Sequence, residues 1–205
     1  MVNEKGHDIE APLFIGKYII IRHITPSDAL LYHIWLQNPV FLAYKPYLKQ
    51  LCPTAQQLSA YLTMQTELNP RTEFEVLVIQ KSTQKPIGIM GLSSIDEFNK
   101  KAEFSAGFVS GYGTKSVWEA IHAGLSIIFN NDFHKLIFYV TSNNHQALKI
   151  MRTNGFISEG YFKEEILINE SQRIDLHRFA LMRKVWDDQN HSLYQRRNHI
   201  APIKL

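Results

Sequence analysis

Lys135-Leu136-Ile137-Phe138-Tyr139-Val140-Thr141-Ser142-Asn143-Asn144-His145-Gln146-Ala147-Leu148-Lys149-Ile150-Met151-Arg152-Thr153-Asn154-Gly155-Phe156 is the stretch that decides the fold. Its first seven residues are a short, almost uniformly apolar run. Such a run is expected of a central strand covered on both faces. Asn143 or Asn144 then supplies a helix cap, because a short polar side chain can accept from the free amides of the first turn. Asn154-Gly155 closes that helix, since glycine takes the left-handed conformation at a helix end without a Cβ penalty.

Reading outward, Thr114 to Phe129 has helical spacing, with Val117, Trp118, Ile121, Leu125 and Ile128 on one face. Before it stand three strand candidates, Phe74 to Gln80, Ile87 to Ile95 and Ala102 to Val109, separated by turns at 82–86 and 96–100. These predict an antiparallel meander. Leu13 to Ile24 reads as a hairpin or a single strand. Thr25-Pro26-Ser27-Asp28 then starts a helix, with Thr25 as cap and Pro26 at the first position. It runs to about Gln37 with Leu30, Leu31, Ile34 and Trp35 as its apolar stripe, and Asn38-Pro39 ends it. A second helix, capped by Thr54, runs through Leu58, Tyr61, Leu62 and Leu68 to a stop at Asn69-Pro70. The aromatic segment between them, with Phe41, Tyr44 and Tyr47, is either core packing or the lining of a substrate pocket. Downstream, Phe156 to Leu167 and Arg173 to Lys184 form two last strands around a hairpin loop at 168–172. The whole is α+β: a mixed sheet with helices on its faces.

Composition fits one globular unit. The chain has 205 residues, 45% of them hydrophobic and 20% charged, so it can bury a core. Residues 1–186 are expected to form a single domain, with 187–205 a polar C-terminal tail. The net charge of +3 suits an anionic ligand but not a nucleic-acid surface. The basic clusters Lys100-Lys101 and Arg196-Arg197 read as solvated loop and tail charges. Cys52 is the single cysteine, so no intrachain disulfide forms, and no His partner marks it as a nucleophile. No apolar stretch reaches the length of a membrane span. Neither a signal peptide nor a membrane partner is expected, and the cytoplasm is the expected compartment. The nine histidines are scattered, and His122 beside Trp118 has no second ligand, so no metal is expected.

Three features carry candidate chemistry. Gly111-Tyr112-Gly113-Thr114, between a strand and a helix, allows close approach to a ligand and offers free amides to phosphate oxygens. The same residues also serve a plain turn. Asn144 is a helix cap or a ligand contact. Glu103, in an otherwise apolar strand, is a solvent-facing residue or an acid–base group.

In this order and spacing the three features resemble the GNAT superfamily of N-acetyltransferases, from about Tyr18 to Trp186. The most specific part is Asn144 through Phe156, with Asn, a small residue three on, and Gly-Phe closing the helix. Ile21-Arg22-His23-Ile24-Thr25-Pro26-Ser27-Asp28, Glu159-Gly160-Tyr161-Phe162 and Asp175 are similar to the branch with ribosomal-protein and spermidine acetyltransferases.

The resemblance implies a mostly antiparallel central sheet that splays between the fourth and fifth strands. Counted with Leu13 to Ile24 as one strand, these are Ala102 to Val109 and Lys135 to Thr141. It further implies acetyl-CoA as co-substrate, its arm held by backbone groups of Phe108 and Val109. The pyrophosphate would meet the amides of Gly111, Gly113 and Thr114, and Asn144 would lie near the reactive end. Glu103 would be the general base that frees a primary amine, either a protein N-terminus or a small molecule, to attack directly. Monomer and homodimer are both compatible. Two departures stand out. Phe108 replaces the family's Gln or Arg three residues before the first glycine, in a shortened loop. Met151 stands where many members have a Tyr that protonates the leaving sulfur, and methionine has no proton to give. Both departures would also suit a non-catalytic acyl-CoA sensor on the same scaffold.

Overall fold

The computed structural model describes residues 11–38, 41, 45, 47–67, 73–111, 113–169 and 171–188. Leu68, the stop at Asn69-Pro70, Pro39, Tyr44, Tyr112 and the tail from 189 lie outside the described residues.

Eight strands form one sheet: β1 (Pro12–Ile15), β2 (Ile19–His23), β3 (Phe74–Gln80), β4 (Lys85–Asp96), β5 (Lys101–Phe108), β6 (Lys135–Thr141), β7 (Ile157–Asn169) and β8 (Gln172–Met182). Their spatial order is β1-β2-β3-β4-β5-β6-β8-β7. All neighbours are antiparallel except β5 and β6. The expected meander is therefore present as β3-β4-β5, and Leu13 to Ile24 is a hairpin. Side chains alternate across the sheet, so each face has its own core.

One face packs on helices α4 (Lys115–Asn130) and α5 (His145–Thr153). Its core joins Ile19, Ile21, Val76, Val78, Met90, Phe104 and Phe138 to Ala120, Ala123, Ile127 and Leu148. The opposite face packs on α1 (Ala29–Trp35), α2 (Leu48–Leu51) and α3 (Ala55–Glu67), through Tyr32, Trp35, Leu36, Phe41, Leu58, Leu62, Leu77 and Ile89. Phe41 thus belongs to the core, against Tyr32 and Trp35. Each fully buried side chain of this size contributes about 1.5–3 kcal/mol.

Local chemistry fixes the element ends. Thr25 and Asp28 form a reciprocal capping box, and Pro26–Asp28 enters α1 as a 3-10 turn. Arg22 grips the same Asp28 carboxylate with two bonds of 2.7 Å. Thr54 and Gln57 cap α3 in the same way, with Thr54 N donating to Gln57 Oε1 at 3.1 Å and Gln57 N to Thr54 Oγ1 at 3.2 Å. The Glu119 carboxylate on α4 accepts the N–H groups of Lys17, Tyr18 and Ile19 at 2.7–3.0 Å, which pins the β1–β2 turn to α4.

Four sequence readings change. The stripe on α1 is rotated: Leu30 and Ile34 are 64% and 57% exposed, while Ala29, Tyr32, Trp35 and Leu36 are buried. Tyr32 goes inward because its hydroxyl donates to Glu75 at 3.2 Å, a partner far off in sequence. In β6, Tyr139 is 42% exposed, so that strand is not covered throughout. The apolar face of α4 is broader than its stripe, because residues 122–129 are buried all round the helix. A short helix α6 (Arg183–Asp187) replaces the end of the last predicted strand. Its Trp186 stacks on Phe129 at 5.7 Å and lies 5.7 Å from His122, which buries the outer side of α4.

Candidate functional site

The parallel pair β5–β6 is joined for only three residue pairs: Lys101 with Lys135, Ala102 with Leu136, and Glu103 with Ile137. Beyond Ile137, β6 stays paired with β8 as far as Thr141, and β5 stays paired with β4 as far as Phe108. The two strands therefore part into a cleft that widens toward their C-terminal ends. On the α4–α5 side the rings of Phe104 and Phe138 touch, 5.5 Å apart, beneath this opening.

The hydrogen-bond phase of β5 decides which amides face the cleft. Val109 N donates to Ile87 O at 2.9 Å. In an antiparallel ladder the bonded positions alternate. Gly107, Ser105 and Glu103 therefore bond toward β4, while Ala106 and Phe108 turn their N–H and C=O groups toward the cleft. Of the two residues expected to hold a ligand arm, Phe108 presents its backbone there and Val109 has committed its N–H elsewhere. Ala106 joins Phe108, a residue that the sequence reading passed over. The Phe108 ring is buried against Gly88, where an added Cβ would lie 2.5 Å from it.

At the mouth, the chain leaves β5 through Gly111 and Gly113, with φ of +80° and +75°. These are left-handed values that favour glycine. Thr114 N and Thr114 Oγ1 both donate to Gly111 O, at 3.0 and 2.5 Å. Thr114 is the N-cap of α4 but makes no side-chain capping bond. Its own amide is used within the turn, so the amides offered at this end are those of Gly113 and of the first turn, Lys115 and Ser116. Across the mouth, Asn144 caps α5 by accepting from Ala147 N at 3.1 Å through Oδ1. Its Nδ2 is not used in that cap. Two helix N-termini thus flank the open end of the cleft, and their partial positive charge favours an anion.

Glu103 sits where the cleft begins, half-buried on the face carrying α1 and α3. It lies opposite Ser93, and the ladder is irregular just beyond, between Ser93 and Asp96, with Ser94 at φ +50°. Bulges of this kind re-aim neighbouring side chains and recur beside active sites. Two residues on, along the same face, the Ser105 hydroxyl is buried and has no hydrogen-bond partner among the described residues. A buried hydroxyl without a partner costs about 1–3 kcal/mol, so native proteins retain few of them. No sequence signal marked Ser105. Tyr139, on β6, brings a phenol to the same face. Met151 instead packs against the α4–α5 core.

The remaining sequence candidates lie apart from this chemistry. Cys52 ends α2 in the helical layer, where burial pushes its thiol up. Among the described residues no three His, Cys, Asp or Glu side chains gather as metal ligands would. No described helix is long and apolar enough to cross a membrane.

A mixed sheet opened between two parallel strands, with backbone groups of β5 turned toward one lip and helix N-termini at its mouth, suits an extended ligand carrying amides and phosphates. The acetyltransferase (GNAT) domain family matches residues 19–157. That is well over half of the chain, which therefore belongs to the GNAT acetyltransferase family. No curated protein sequence matches it. Among solved structures it is similar to a spermidine N-acetyltransferase from Vibrio cholerae in complex with CoA and spermine. There the TM-score is 0.72 at 20% identity, over 83% of this chain and 99% of that one. A ribosomal-protein-S5-alanine acetyltransferase from Vibrio fischeri is similar with a TM-score of 0.71 at 22% identity, over 87% and 98%. A dodecameric form of the Vibrio cholerae enzyme gives a TM-score of 0.73 at 18% identity, over 86% and 100%. At such identities the likeness is one of fold.

Proposed function

We propose that the chain transfers an acetyl group from acetyl-CoA to a primary amine, with residues 1–186 acting as one acyltransferase domain. The observation that carries this reading is the end of β5–β6 pairing at Glu103 and Ile137. It leaves an edge of backbone groups that an amide-bearing arm can complete, as an added strand would.

In this reading Ala106 and Phe108 hold the arm through their backbone groups. The amides of Gly113 and of the first turn of α4 take the pyrophosphate, with Gly111 and Thr114 shaping the turn. Asn144 contributes Nδ2 across the cleft. The bound acetyl thioester supplies the electrophilic carbonyl. The chain does the rest. A primary amine has a solution pKa of about 10 and is protonated at neutral pH. Glu103 removes that proton, directly or through water. Ser105 holds the nitrogen or the bridging water, which gives its hydroxyl the partner it lacks. A cleft-facing N–H of β5 steadies the charge that builds on the carbonyl oxygen, a role that typically lowers a barrier by about 3 kcal/mol. Water or Tyr139 returns a proton to the sulfur, since Met151 has none to give. No covalent bond to the enzyme is formed.

A sensor of acyl-CoA is the second reading. It is favoured by Met151, which is partly buried against the α4–α5 core and has no proton to give. The test is calorimetric titration with acetyl-CoA, followed by acetylation of an amine panel including peptide N-termini. Binding with turnover supports the enzyme, and binding without turnover supports the sensor. No heat at millimolar acetyl-CoA removes both.

A further inference from the structure

Lys45 is a buried cation on the acceptor face of the sheet, only 4% exposed. Its Nζ lies 3.0 Å from Glu73 Oε2 and 3.1 Å from Glu75 Oε1. Those same oxygens also accept from two phenols, Tyr61 to Glu73 at 2.8 Å and Tyr32 to Glu75 at 3.2 Å. Burial alone would push Lys45 down. The charge of Glu75 beside it, with that of Glu73, outweighs burial and holds it above the usual lysine range. The group is an alkylammonium held by two carboxylates and screened from water.

The register ties this cage to Glu103. Glu75 is paired with Gly91, and Gly91 with Ser105. Gly91 has no side chain, so nothing on β4 stands between the Glu75 carboxylate and the Ser105 hydroxyl along that row. Two strand spacings separate their backbones, about 10 Å. Glu103 is the next residue of β5 on the same face. From position 38 to position 72 the sequence contains one carboxylate, Glu67, exposed at the end of α3. Among the described residues of α2, α3 and 73–80, the cage is where carboxylates near Glu103 could take an ammonium ion, and Lys45 is already in it.

We infer that Lys45 fills an alkylammonium site on the acceptor face from within, and so restricts the acceptor to amines that bring a single ammonium group. The inference rests on the acetyl transfer proposed above. The reacting nitrogen goes to Glu103 and Ser105. A diamine or polyamine brings a second cation, and the carboxylates that would receive it hold Lys45. An acceptor with one cationic nitrogen, such as a peptide N-terminus followed by uncharged residues, meets no such conflict.

The test uses the full chain as wild type, Lys45→Ala and Lys45→Met. Lys45→Ala vacates the cage, whereas Lys45→Met refills its volume without charge. Thermal unfolding is followed with added n-propylammonium, and spermidine binding is measured by calorimetry. Lys45→Ala is expected to melt below wild type and to regain stability in millimolar n-propylammonium, while wild type and Lys45→Met do not respond. Lys45→Ala should also bind spermidine at least about tenfold more tightly than wild type. Should it fail to fold, Lys45→Ala/Glu73→Gln keeps one cage carboxylate with less unpaired charge and takes its place. A vacated cage that ignores n-propylammonium, or a wild type that binds spermidine as tightly as the variant, overturns the inference. Absence of heat with acetyl-CoA would overturn the proposed reaction instead, and would leave the rescue result standing.

Discussion

Glu103 is the last residue of β5 paired with β6, and its partner is Ile137. One ladder position thus both ends the sheet's continuity and carries a carboxylate on the face that holds α1 and α3. Glu103→Gln keeps the shape and removes the proposed base. We expect kcat/KM for the amine to fall on the order of 10²-fold or more. Acetyl-CoA affinity by calorimetry should change less than about twofold. A Glu103→Gln enzyme with undiminished turnover would remove Glu103 from the chemistry.

Ser105→Ala separates function from packing. Its buried hydroxyl has no partner among the described residues, so deleting it should leave stability unchanged or raise it by up to about 1 kcal/mol. If the hydroxyl serves the acceptor, the acceptor KM rises several-fold in the same variant. A drop in melting temperature together with unchanged KM would assign Ser105 to the core.

Gly113 has φ +75° and open space where a Cβ would project. Gly113→Ala therefore meets backbone strain and no clash, at about 1–2 kcal/mol. The strain falls on the turn proposed to face the pyrophosphate. Acetyl-CoA should bind at least about fivefold more weakly, while dephosphorylated pantetheine thioesters are affected less. An equal loss for both ligands would place the phosphates elsewhere.

Asp28 gives the acid limb of stability. Burial raises its pKa, but the Arg22 hydrogen bonds, the Thr25 N–H and the Arg22 charge together hold it below 3.8. A folded-state value below the unfolded one means that the stabilisation is full above the unfolded value. It is lost as pH falls through the folded value. The stability gap between wild type and Asp28→Asn in urea titrations should be constant from pH 7 down to about pH 4.5 and shrink below about pH 4. A gap that persists at pH 2 would contradict this role.

Much of the fold was legible because local rules and tertiary packing agree there. Phe74 to Gln80 and Lys135 to Thr141 are strands with the predicted ends, Thr54 and Asn144 cap their helices, and Gly155 takes φ +75° as a helix terminator should. The resemblance to the GNAT superfamily implied where the sheet opens, and the pairing of β5 with β6 ends there, at Glu103 and Ile137. What sequence could not show depends on contacts between distant segments. The rotation of α1 follows from Tyr32 reaching Glu75, and the exposure of Tyr139 from β6 leaving β5. The commitment of Val109 N–H follows from the phase of the β4–β5 ladder, which a single strand does not reveal. Nothing in the sequence marked Lys45, because only the folded β3 brings Glu75 beside it.

Amide hydrogen exchange resolved along β5 and the start of α4, with and without acetyl-CoA, tests the central claim most directly. The cleft predicts new protection at Ala106 and at Gly113, Lys115 and Ser116, with no change at Gly107, Val109 or Thr114, whose amides are already bonded within the protein. Saturating acetyl-CoA that leaves Ala106 exchanging as in the free protein would contradict it.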